Sequence, residues 1–319
     1  MSPETRVRLL VGAAALAAAA IAVAGGVLLD GSEAQEEVGE PPALELSVLA
    51  GEDAQTRALL AAERAYEQGR REDARRRFEE VLRSDPSSLE AAVGAAVAAW
   101  PEGTVERLRD LAAEHPDSAL VRLHLGLALY AGGETEEAEA EWRLAESREP
   151  DTPAAVRAED LLHTDMAPGR PFFFPATAAD PGLEGLSATE QLEELERRAD
   201  GGRAEDLLLY GVALQRVGRP ISAREAFERA LAREPENLDA QVAAAVARFD
   251  KDAPEEAFSR LGPLARSHPR AGVVRFHLGL LLLWIRAVDE ARRQLELALE
   301  TRGFYAREAR NLLARVEEI

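Results

Sequence analysis

The sequence repeats itself in units of 34 residues, and this period constrains the fold more than any other feature. Gly126, Gly133, Ala138, Trp142, Ala145 and Pro150 return at unchanged intervals as Gly211, Gly218, Ala223, Phe227, Ala230 and Pro235. A third copy runs through Gly69, Ala74, Phe78 and Pro86, with Ala62 and Val81 at the other two positions. Self-similarity of this length marks stacked supersecondary units, none of which buries its apolar face alone. Within a unit the small residues Ala62, Gly126 and Gly211 suit the close approach of two antiparallel helices, and Phe78, Trp142 and Phe227 fill the space beside them. Gly133 and Gly218 fall between the helices, where a residue that accepts positive φ ends the first one; Pro86, Pro150 and Pro235 stop the second.

These residues and spacings resemble the tetratricopeptide repeat. On that resemblance, copies occupy residues 55–88, 119–152 and 204–237. Degenerate copies follow at 238–271, which keeps Ala257 and Pro269 with Leu261 at the aromatic position, and at 272–305, which keeps Gly279, Ala291, Leu295 and Ala298. Residues 89–118 form a unit four residues short, and the interval from Gly103 to Pro116 points to a clipped turn between its helices. HPDSALVRLHLGLALY from His115 matches HPRAGVVRFHLGLLLL from His268, 153 residues on, so the units group into two duplicated blocks. Segments 153–163 and 304–318 read as helices that cap the last apolar face of each block. The implied fold is all-α, a helix-turn-helix solenoid in two three-repeat blocks at 55–163 and 204–319, plus one N-terminal transmembrane helix. Residues 164–203 between them are a Pro/Phe-containing linker and a bridging helix. Phe172, Phe173 and Phe174 stand there between prolines, and are expected to pack on the flanking repeats and set the angle between blocks. The alternative is a ligand-like segment that occupies a groove.

In the resembled family the first helix of each repeat lines a concave face, which implies a peptide-binding groove. Carried onto this sequence, one row holds Leu59, Val93, Leu123, Leu208, Val242 and Phe276, and the next holds Tyr66, Trp100, Tyr130, Gln215, Phe249 and Leu283, with His124 and His277 beside the first. The Asn, Lys and Arg set with which relatives clamp a C-terminal carboxylate is absent. An apolar lining suits an amphipathic helix or an extended peptide, against the competing reading of inter-repeat core.

The N-terminus adds a location. Leu9 to Leu29 is uncharged over 21 residues, with Arg6 and Arg8 before it and Asp30 after it, as for a single span with residues 1–8 cytoplasmic and the body outside the plasma membrane. Ala22, Val23 and Ala24 offer the alternative of a cleaved signal peptide and a secreted body. The segment 30–54 carries eight carboxylates and Pro41-Pro42, and reads as an extended, solvated acidic tether. One Lys against 37 Arg, with abundant Ala, suits a GC-rich bacterial genome and hence a cell-envelope location.

With 58 acidic and 38 basic residues the net charge is −20, which excludes nucleic acid as a partner and favours a basic or amphipathic protein segment. The chain has no cysteine and no HExxH, GxSxG, P-loop or GxGxxG pattern, so no catalytic residue, cofactor or metal is expected. His115 and His268 precede prolines at helix ends, where the helix dipole favours a cation, and duplication explains their symmetry with the pair His124 and His277. His163 stands alone. The function implied is a membrane-anchored, exported adapter or scaffold that binds a protein segment during envelope assembly or complex formation. A self-associating structural protein is the alternative, and an enzyme or metal site on the duplicated histidines a remote third.

Overall fold

The computed structural model describes residues 39–46, 53–176, 181–183 and 185–316, which form α-helices and no strand. The expected span at 9–29 and the tether up to residue 38 lie outside the described residues. Among the described residues no helix is long and apolar enough to cross a membrane.

Contacts divide the chain into two units, with the boundary at Leu162–His163 and residues 186–190 assigned to the first. In the first unit α1 (Ala54–Glu67) packs on α2 (Arg71–Ser84), α3 (Leu89–Ala98) on α4 (Thr104–Glu114), and α5 (Ala119–Ala131) on α6 (Thr135–Arg148); α7 (Pro153–Leu162) closes the stack. After α8 (Ala188–Ala199) the second unit repeats the plan. There α9 (Ala204–Arg216) packs on α10 (Pro220–Arg233), α11 (Leu238–Val246) on α12 (Glu255–Ser267), and α13 (Gly272–Trp284) on α14 (Val288–Leu299), with α15 (Phe304–Val316) last. First helices also touch one another in succession, α1 to α3 to α5 to α7 and α9 to α11 to α13 to α15, so they share one face of each stack.

Small polar residues start four of these first helices. The side chains of Asp53, Ser88, Ser118 and Asn237 accept from the backbone N–H three residues on, satisfying a donor that the helix itself leaves free. The glycine-aromatic pairing expected from the repeats is present. A methyl group at Gly126 would stand 2.3 Å from the Trp142 indole, and one at Gly211 2.4 Å from the Phe227 ring. Phe78 differs, sitting on Gly94 of the following unit, where a Cβ would be 2.6 Å from its ring.

The clipped turn expected in unit 89–118 is not what shortens it: the connection at 99–103 is longer than those at 68–70 and 132–134, and the missing residues come from its two helices, α3 and α4. α3 has 10 residues and its counterpart α11 has 9, against 13 or 14 in α1, α5, α9 and α13. Both middle units are therefore short on the groove side, and a longer connection at 247–254 restores the sequence length in the second.

One duplicated position has lost its glycine. Gly133 reverses the chain after α5 at φ 87°, and Arg286, 153 residues on, does so at φ 56°. A side chain in this left-handed region costs about 1 kcal/mol or more. Arg286→Gly should therefore raise the stability of the second unit by about 0.5–1 kcal/mol after the larger chain entropy of glycine is subtracted, read as a higher denaturation midpoint.

Candidate functional site: two grooves and the segments that fill them

Residues 39–46 lie over the face formed by the first helices of the first unit. Pro42, Leu44 and Leu46 are buried, while Pro41 and Ala43 are exposed and Glu45 is half-buried, which is the alternation of an extended chain. Leu44 and Leu46 join one apolar cluster with Leu59, Tyr66, Val93, Trp100 and Leu123. The backbone is held at four points. Trp100 Nε1 donates to the Gly39 carbonyl at 3.0 Å, and the Tyr66 hydroxyl donates to the Pro42 carbonyl at 2.5 Å. The Glu45 N–H donates to His124 Nε2 at 3.1 Å, and the Leu46 N–H to Glu63 Oε1 at 2.8 Å. One side chain is also read, as Arg157 Nε donates to Glu45 Oε1 at 2.8 Å.

The second unit carries an equivalent strap at 166–176. Trp284 Nε1 donates to the Gly169 carbonyl at 2.9 Å, and the Ala167 N–H donates to the Trp284 carbonyl at 2.9 Å. Arg170 donates to the Phe249 carbonyl at 3.3 Å. The Gln215 amide holds both backbone groups of Phe173, accepting at 3.1 Å and donating at 3.3 Å. The Phe174 N–H donates to His277 Nε2 at 2.9 Å, and the Tyr305 hydroxyl to the Phe174 carbonyl at 2.9 Å. Phe173 is fully buried, stacked on His277 with ring centroids 5.1 Å apart and edge-on to Phe227 at 5.7 Å.

The two histidines are set for this contact by their own helices. His124 Nδ1 lies 2.8 Å from the Leu120 carbonyl and His277 Nδ1 lies 2.6 Å from that of Val273, so Nδ1 carries the proton and Nε2 presents its lone pair to the strap. Burial disfavours a second proton and brings both imidazoles down to about 4, so they are neutral acceptors at physiological pH. Burial likewise pushes the Tyr66 phenol up to about 12 and the Tyr305 phenol above its usual value. Burial raises Glu63 too, opposed by the Leu46 N–H that it accepts.

A family profile described as tetratricopeptide repeat matches residues 59–107, 105–153 and 208–262. These segments are tetratricopeptide repeats. No curated protein matches the chain. Among solved structures, it is similar to a tetratricopeptide repeat protein from Parabacteroides merdae at 11% identity, over 82% of this chain and 98% of that one, with a TM-score of 0.34. TTC0263, a tetratricopeptide repeat protein of Thermus thermophilus, matches at 20% identity over 61% and 98%, TM-score 0.29. Yeast Tom70 matches at 12% over 77% and 62%, TM-score 0.28.

On the tetratricopeptide frame, the residues expected to line open grooves are largely covered. Tyr66, Trp100, His124 and His277 bond the straps directly; Leu59, Val93, Leu123, Leu208, Val242, Phe249 and Phe276 are buried, and Leu283 is half-buried. Tyr130 alone is well exposed, at 56%. Two expectations are corrected here. The acidic segment is not solvated throughout, because three of its apolar residues enter the first unit. The Phe172–Phe174 run takes the alternative read for it, lying in the groove of its own unit. Gln215, which the second row contained, holds Phe173, while Glu63, Arg157, Trp284 and Tyr305 complete the contacts and were absent from the expected set. The histidine pair 124 and 277 does more than mark a duplication. His115 and His268 cap α4 and α12, as their place at helix ends implied. His163 has a partner in Asp252, 3.1 Å away.

Proposed function

We propose that the chain is a protein-interaction scaffold, held at the cell envelope by residues 9–29 with its repeats outside the cytoplasm. The observation that carries the reading is that the first-helix face of each unit is equipped to hold extended polypeptide, with a tryptophan, a histidine and a tyrosine or glutamine aimed at backbone groups. The uncharged run from Leu9 to Leu29, with arginines only on its N-terminal side, supports the location. A self-contained structural role is favoured by one fact, that each face is filled by its own chain.

Trp100 is buried against Gly39, so a probe is better placed at Tyr130, the one exposed aromatic of the row. A photo-crosslinking residue at Tyr130 in the full chain in cells is expected to give a membrane-fraction adduct with a second protein that is missing from a Glu137 control. Adducts no different from the control, or only with itself, would favour the structural role.

A further inference from the structure

We propose that the first groove is a binding site for an extended partner segment with apolar residues at alternate positions and a carboxylate between them, and that residues 39–46 are its displaceable resident. The inference rests on the scaffold reading and names the chemistry of the partner. The resident displays the requirement itself. Leu44 and Leu46 point into the apolar cluster, and the intervening Glu45 reaches Arg157. The other four contacts, from Trp100, Tyr66, His124 and Glu63, address backbone carbonyls and N–H groups that any chain offers at the same register.

The second groove shows that the arrangement tolerates a change of side chains. There two anchors of the same chemistry recur, a tryptophan indole on a glycine carbonyl and an N–H on a buried histidine Nε2, although Trp284 ends α13 whereas Trp100 lies in the turn after α3, and the side chains carried there include Phe172, Phe173 and Phe174. The N–H that reaches histidine follows the anchored glycine by six residues in the first strap and five in the second, and Gly-x-Pro opens both. Recognition is thus chiefly of an extended backbone, the mode in which main-chain bonds supply affinity and alternate side-chain pockets supply selectivity.

Displacement is a matter of scale. The first strap is a single extended segment with Pro42, Leu44 and Leu46 buried, whereas each helix of the stack is locked to neighbouring helices on two sides. The strap holds its place by being tethered, which gives an effective concentration of the order of millimolar. A partner segment competes against that concentration, and removing the resident removes the competition.

The test uses the full chain and a fluorescein-labelled peptide GEPPALEL, the sequence of residues 39–46. A chain carrying Leu44→Asp and Leu46→Asp should bind this peptide at least about tenfold more tightly than the unmodified chain, because its own strap no longer competes. Adding Trp100→Phe should weaken that binding, and a peptide with aspartate at both leucines should not bind. Equal binding by the two chains, or none by a variant with unchanged helical circular dichroism, overturns the proposal. A second readout needs no variant. In the unmodified chain the amides of Glu45 and Leu46 should exchange hydrogen faster than those inside α3 and α5, through local release of the strap. Exchange as slow as the helices makes the segment a permanent part of the core and overturns the proposal, even if the variant fails to fold. That failure would leave the Tyr130 crosslink intact, whereas failure of the scaffold reading would remove the crosslink as well.

Discussion

Replacing Phe173 by alanine is expected to cost the second unit about 4 kcal/mol, the range measured when a large aromatic leaves a cavity in a packed interior. Phe173 is 0% exposed, its ring is stacked between His277 and the edge of Phe227, and both its backbone groups are bonded to Gln215. Little around it is free to collapse, since Phe227 is itself pressed on Gly211. A loss of this size is a large part of the 5–15 kcal/mol typical of a whole domain, so the denaturation midpoint of the second unit should fall sharply. Phe172→Ala is the control. That residue is half-buried, and its removal should cost under about 1 kcal/mol. Similar losses for the two variants would mean that the strap is not packed as described.

Acid should destabilise each unit through its buried histidine. His124 and His277 titrate at about 4 when folded, against 6.5 when unfolded. Between those values the unfolded chain binds a proton that the folded chain refuses, so folding is favoured fully above pH 6.5 and loses ground as pH falls towards 4. At 1.36 kcal/mol per pH unit the loss approaches about 3 kcal/mol for each histidine. Protonation would also turn Nε2 from acceptor to donor, facing the N–H of Glu45 or Phe174. Glu63 and Asp239, raised by burial, act in the opposite sense and relieve part of the loss. His124→Gln with His277→Gln keeps a hydrogen-bond acceptor without the titration. Urea midpoints at pH 7.5 and 4.5 should therefore differ much less in the double variant than in the unmodified chain. An equal pH dependence in both would place the acid sensitivity elsewhere.

The repeats were legible because steric demands select residue types. A glycine under an aromatic ring, as at Gly126 and Trp142, and a proline after a helix leave few substitutes, so the spacing survives in the sequence. The straps were less legible because backbone contacts leave little trace in side-chain identity. In the acidic segment, Pro42, Leu44 and Leu46 alternate over too few residues to stand out among eight carboxylates. The three phenylalanines announced burial, but nothing in the run itself says which surface receives them. His124 and His277 looked like by-products of duplication, since their role depends on a strap 79 or 103 residues away. One local signal was present, the Gly-x-Pro that opens a segment ahead of each block, at Gly39 and at Gly169. Arg286 hid in the same way, a conformation normally advertised by glycine.

A stack of repeats behaves as a row of neighbours, each stabilised by the next, so its ends can fray while its middle holds. The first strap changes that bookkeeping. It touches α1 through Tyr66 and Glu63, the turn between α3 and α4 through Trp100, α5 through His124 and α7 through Arg157. Loss of either end of the stack therefore costs the strap some of its bonds, and loss of the strap loosens both ends together. While it is seated, the segment acts as a tie-rod that links the two ends of a one-dimensional array. Because it precedes its block in the chain, the tie can be fastened only after the last repeat has been made.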